Sequence, residues 1–116
     1  MNKFERGDAV MVDLGAVAKV RPCIVVSLSG LDSKRNMSVV VPMTTEIRQG
    51  ECEVAFPKPP WLQEISVVNL LGIVGVDNTR IQRRITAMPV ETMGKIDQGL
   101  KRIFGFRENP PRQAKA

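Results

Sequence analysis

The chain has 116 residues, 43% of them hydrophobic, which suits one domain with a small core and excludes a disordered polypeptide. No apolar run reaches transmembrane length, and the opening MNKFERGDAV has no apolar signal core. Seventeen Lys and Arg against twelve Asp and Glu give a net charge of +5, which favours polyanionic partners, while the absence of histidine and tyrosine removes the commonest zinc ligand and general base.

Arg6-Gly7-Asp8 reads as a turn into a first strand at residues 9–14, which Gly15 ends. A second strand covers residues 21–28 and opens on Arg21-Pro22. SGLDSKRN is a polar loop with Lys34 and Arg35 at its tip. The third strand is MSVVVPM, residues 37–43, with Pro42 near its end, where a missing amide donor is tolerable. Residues 51–56 alternate, with Cys52, Val54 and Phe56 on one face and Glu51, Glu53 and Ala55 on the other. PKPPW is a rigid surface connection. Residues 65–76 read as one apolar run, with Gly72 and Gly75 marking a bulge or bend, and a short strand follows at 81–85. From Pro89 the period changes: Val90, Met93, Ile96, Leu100, Ile103 and Phe104 form one helix face, with Pro89 at the first helical position and Gly105 as the stop.

These elements predict a mainly β fold with a C-terminal α-helix, built as a small antiparallel barrel or strongly curved sheet. A single domain spans 1–106, and 107–116, RENPPRQAKA, reads as a disordered tail. Cys23 and Cys52 lie in apolar stretches without ligand spacing, as reduced, packed thiols of a cytoplasmic protein do. No metal or cofactor is expected.

RGDAVMVDLG at 6–15, RPCIVVS at 21–27, VVVPMTT at 39–45, SVVNLL at 66–71, VD at 76–77 and the terminal amphipathic helix follow one another in an order that resembles the PemK/MazF-like toxin family. That family is the endoribonuclease half of bacterial toxin–antitoxin pairs. The resemblance implies an SH3-like barrel of the PemK/CcdB type, a homodimer, metal-independent cleavage of single-stranded RNA and neutralisation by a cognate antitoxin. It further implies that Arg21 and Thr44 are the catalytic residues and that Ser27 is a site residue. The chain departs from the family pattern in two places. The loop between the first two strands is only GAVAKV, and a stretch that is polar in many relatives is here Leu71-Gly72-Ile73-Val74.

Cleaving RNA through its own 2′-hydroxyl requires removal of the hydroxyl proton, stabilisation of charge on phosphorus and protonation of the leaving 5′-oxygen. The products carry a 2′,3′-cyclic phosphate and a 5′-hydroxyl. Guanidinium presents a fork of donors matched to phosphate oxygens, and Pro22 forces Arg21 towards an extended backbone at the strand's start. Thr44 would bond a non-bridging oxygen or orient the 2′-hydroxyl, whereas alternation turns Thr45 to the other face. Arginine stays protonated and makes a poor base. The carboxylates considered for acid/base work are Glu46, on the Thr44 strand face, and Asp77, at a family position. Two basic clusters are candidates for guiding the RNA backbone: Lys19, Arg21, Lys34, Arg35 and Arg48, and Arg80, Arg83 and Arg84. Trp61, the one tryptophan, is placed to stack on a base, to anchor an antitoxin segment or simply to cover the core. The antitoxin should be an acidic segment that folds on binding. The alternative reading is a catalytically weakened toxin-fold binding protein, directed at gyrase or nucleic acid and likewise neutralised by an antitoxin.

Overall fold

Gly7 sits at φ 96°, a corner that a side chain would resist, and the turn around it closes when the Asp8 N–H donates to the Glu5 carbonyl at 3.0 Å. From this turn the computed structural model, which describes residues 4–15 and 19–106, runs through seven strands and one helix. The strands are β1 (Asp8–Asp13), β2 (Val20–Val25), β3 (Met37–Thr44), β4 (Glu53–Ala55), β5 (Val67–Asn69), β6 (Val74–Asp77) and β7 (Ile81–Ala87), followed by α1 (Val90–Phe104). The tail expected at 107–116 lies outside the described residues. Every pairing is antiparallel, in the order β4-β5-β3-β2-β1-β7, with β6 also on β3. The expected mainly β class with a C-terminal helix is the one observed.

The central strands bury both faces. Ala9, Ile24, Val41 and Met43 join Val54, Val68, Leu70, Met93 and Ile96 in a core under the helix. Their neighbours Val10, Val12, Cys23, Val25 and Val40 join Val76 and Ile81 in a second core. Where a stretch of strand has no solvent face it has no polar alternation to show, which is why Cys23, Ile24 and Val25 in β2 and Val39, Val40 and Val41 in β3 read as apolar runs.

The apolar run 65–76 is not one bent strand. Met43 faces Val68 and Val40 faces Val74, so three steps along β3 correspond to six along the partner. A 3-10 turn at Leu70–Gly72 absorbs the excess and divides the run into β5 and β6. Gly72 is needed there, because a Cβ would lie 2.7 Å from Pro42 Cγ.

In α1 the expected stripe is narrower at its ends. Met93 and Ile96 are buried and Leu100 and Ile103 pack beside them, but Val90 is 87% exposed and Phe104 49%. Thr92 is buried where the pattern gave no apolar residue. Pro89 is the N-cap, one residue before the helix, and Gly105 closes it in the left-handed region at φ 65°.

Candidate active site

β2 and β3 pair Ile24 with Val41 and Cys23 with Pro42. Pro42 has no N–H to continue the ladder. The β2–β3 ladder ends at that pair, and beyond it Arg21 pairs with Val12 of β1 while Thr44 pairs with Val67 of β5, which leaves Arg21 and Thr44 at the same end of the two strands. Both line a groove of about 540 Å³ with Arg83, Trp61, Gln63 and Glu64. β1 supplies the frame: Met11 faces Pro22 on one side and Arg83 on the other, so the two cation-bearing strands flank one strand.

The Cys23 thiol donates to the Arg21 carbonyl at 3.7 Å, a weak tie on the backbone that carries the guanidinium. Burial pushes this thiol up to about 12, although the Arg21 charge pulls it the other way. It is therefore a neutral donor and not a nucleophile. Thr44 Oγ1 accepts the Glu46 N–H at 3.0 Å, which fixes the hydroxyl and leaves its proton to donate. Thr45 also lines the groove, contrary to the alternation argument, because β3 ends at Thr44 and the period of two ends with it. Trp61 forms a wall whose far side packs on the core beneath the helix.

The groove thus gathers Arg21, Thr44, Arg83 and Trp61 out of the residues singled out in the sequence. The others lie elsewhere. The Glu46 carboxylate pairs with Arg48 at 3.0 Å on the surface, which also holds the Arg48 guanidinium above its ordinary range. Asp77 faces Met37 at the opposite end of β3 from Thr44, seven residues or roughly 23 Å away. There it accepts the Thr79 N–H and hydroxyl at 2.9 and 2.8 Å, bonds that draw its carboxyl below the usual range and commit it to capping a turn. Arg80 closes that same turn, and Lys34 and Arg35 line a separate hollow with Met37 and Asn78. Ser27 Oγ accepts the Val39 N–H at 2.9 Å beyond the far end of β2, holding the β2–β3 loop. Lys19, at φ 60°, closes the β1–β2 connection through its bond with Gly15 at 3.0 Å. Arg84 is bonded to Asp8 at 2.9 Å.

Sequence reasoning missed Glu64 and Gln63. Both follow a proline-rich connection and read as solvated loop residues; the signal lay in the pairing of β5 with the end of β3, which draws the chain before β5 alongside Thr44. A larger hollow of about 900 Å³ lies between β4 and α1, with Glu53 and Glu91 near Lys95 and Arg102, and includes none of the expected site residues. Among the described residues no three His, Cys, Asp or Glu side chains are grouped to hold a metal ion, and no helix is long and apolar enough to cross a membrane.

The sequence profile of a family described as PemK-like, MazF-like toxin of type II toxin-antitoxin system matches residues 5–104. No curated protein matches the chain. Among solved structures, an endoribonuclease in complex with its cognate antitoxin from Mycobacterial species superposes with a TM-score of 0.76 at 24% identity, covering 89% of this chain and 96% of that one. MazE-MazF from Deinococcus radiodurans gives 0.72 at 19% identity, covering 88% and 95%. Mycobacterium tuberculosis toxin MazF-mt6 gives 0.71 at 18% identity, covering 86% and 97%. At these identities the likeness is one of fold.

Proposed function

The chain belongs to the family of PemK-like, MazF-like toxins of type II toxin–antitoxin systems, and from that premise we propose that it is a metal-independent endoribonuclease cleaving single-stranded RNA through 2′-hydroxyl attack. The observation that carries this reading is the meeting of Arg21, Thr44 and Arg83 in one groove. Arg21 clamps the scissile phosphate and offsets the charge that grows on its oxygens as the 2′-oxygen adds. Thr44, its oxygen already accepting the Glu46 amide, donates its proton to a non-bridging oxygen. Arg83 holds an adjacent phosphate, and the face of Trp61 receives a base. The substrate supplies its own nucleophile, so the groove has only to position, neutralise and move a proton.

The protein acts in the cytoplasm as a homodimer restrained by an acidic antitoxin. Exposed apolar side chains around β6 (Met37, Leu71 and Val74) and the stacked pair Phe104 and Phe106 support the self-association. The basic groove supports an anionic partner. A long mixed-sequence RNA incubated with the protein and EDTA tests the activity. Fragments ending in a 2′,3′-cyclic phosphate are expected, with a loss of about 10²-fold or more for Arg21→Ala. Undiminished cleavage by folded Arg21→Ala would sink the site.

A second reading is favoured by Leu71, which is 67% exposed in the stretch where the family resemblance leads one to expect polar side chains. In that case the chain is a binding protein that retains RNA or another partner without cutting, and the same assay then shows retention and no fragments.

A further inference from the structure

The proposed chemistry needs a base, and neither carboxylate singled out in the sequence reaches the groove. Among the described residues that line it, the charged side chains are Arg21, Arg83 and Glu64. Glu64 arrives there by topology. Thr44 faces Val67 in the antiparallel β3–β5 pair, so the residues just before β5 run beside the chain leaving β3. Ser66, buried to 5% exposure, donates from its hydroxyl to the Glu64 carbonyl at 3.1 Å. That bond fixes the backbone and leaves the carboxylate for the groove. Glu46 is paired with Arg48 and Asp77 is bonded to Thr79, but among the described residues no salt bridge engages Glu64. Two guanidinium groups against one carboxylate leave the groove net positive, so an anionic phosphate is still attracted.

We infer that Glu64 is the general base of this site, an inference that rests on the endoribonuclease reading. The Glu64 carboxylate takes the proton of the 2′-hydroxyl as the 2′-oxygen forms its bond to phosphorus. The bond from phosphorus to the 5′-oxygen breaks, and that oxygen leaves with the electron pair and takes a proton from water. Glu64 then returns its proton to solvent. Arg21 and Arg83 carry the phosphate charge throughout, and Thr44 holds a non-bridging oxygen.

The test compares wild type, Glu64→Gln and Glu64→Asp on a mixed-sequence single-stranded RNA, with cleavage rate, RNA retention and melting temperature measured on each. Glu64 is exposed, so Glu64→Gln should melt with wild type. Its kcat should fall by about 10²–10⁴-fold, with retention unchanged or tighter because an anion has gone. The acid limb of the wild-type pH–rate profile should vanish, and Glu64→Asp should recover part of the rate. Cleavage by Glu64→Gln within about threefold of wild type would overturn the base while leaving the endoribonuclease reading intact. Loss of RNA retention in Glu64→Gln would overturn it in favour of a binding role. Failure of the wild type itself to cut would remove the endoribonuclease reading, and the base with it.

Discussion

The Arg84 guanidinium donates from Nε to Asp8 Oδ1 at 2.9 Å, and the Asp8 side chain is only 7% exposed. Asp8 also accepts the Glu5 N–H through Oδ2 at 2.9 Å, so this one carboxylate ties β7 to the turn before β1. Arg83, next in the chain, lines the groove instead. Adjacent arginines on one strand therefore have separate tasks. Arg84→Ala strands a buried carboxylate and should cost about 1–2 kcal/mol, at the lower end because solvent reaches half of the Arg84 side chain. Arg83→Ala should change stability by less than about 0.5 kcal/mol but weaken RNA retention and lower its salt slope by about one. Denaturant melts and salt-dependent retention on the two variants separate the effects; equal behaviour in both assays would refute the division.

How much of this was legible beforehand depended on the range of the signal. The strands around Val10, Ile24 and Val41 announced themselves through local composition, and the Met93, Ile96, Leu100 and Ile103 stripe through its period. That Arg21 and Thr44 share a site was an expectation from resemblance, and what the structure adds is that both line the same groove. The run from Ile65 to Val76 reads as one segment because polar side chains interrupt it only at Ser66 and Asn69, and the single Asn69 that ends β5 is too slight a mark of where one strand becomes two. Glu64 stayed hidden for a different reason: an acidic residue after Pro59, Pro60 and Trp61 looks solvated until a long-range pairing brings it beside Thr44. Arg80, Arg83 and Arg84 look alike in the sequence, and only the β1–β7 register separates a turn residue, a groove residue and the partner of a buried carboxylate.

Cys23 and Cys52 are both free, but their surroundings differ. Cys23 is fully buried, and its thiol is raised to about 12, chiefly by desolvation. A thiol-specific reagent at neutral pH should therefore modify the half-buried Cys52 in the native protein and reach Cys23 only on unfolding. The linkage has a definite sign. The folded state keeps the Cys23 proton that the unfolded chain loses near its ordinary value of 9.0, so this contribution is whole below pH 9 and is lost as pH climbs from about 9 towards 12. With no tyrosine in the chain, fewer groups obscure the window. Urea midpoints at pH 8 and pH 10.5 should fall more for wild type than for Cys23→Ala. Equal falls would mean that Cys23 is not the group responsible.

Two glycines of α1 should respond to alanine in opposite directions. Inside a helix, Gly→Ala ordinarily stabilises by about 0.5–1 kcal/mol, because alanine has less backbone freedom to lose. Gly94 has nothing within 4 Å of the position a Cβ would occupy, so Gly94→Ala should show that gain. At Gly99 the same Cβ would collide with the Leu70 side chain, which is 1% exposed and belongs to the core beneath the helix. Leu70 lies in the 3-10 turn between β5 and β6, so it moves only if the helix lifts or the turn shifts. Overpacking of this kind costs about 1–3 kcal/mol, which exceeds the propensity gain. Gly99→Ala should therefore melt below wild type while Gly94→Ala melts above it. A stabilised Gly99→Ala would show that α1 stands further from Leu70 than this packing requires, and would return the helix contact to an ordinary one.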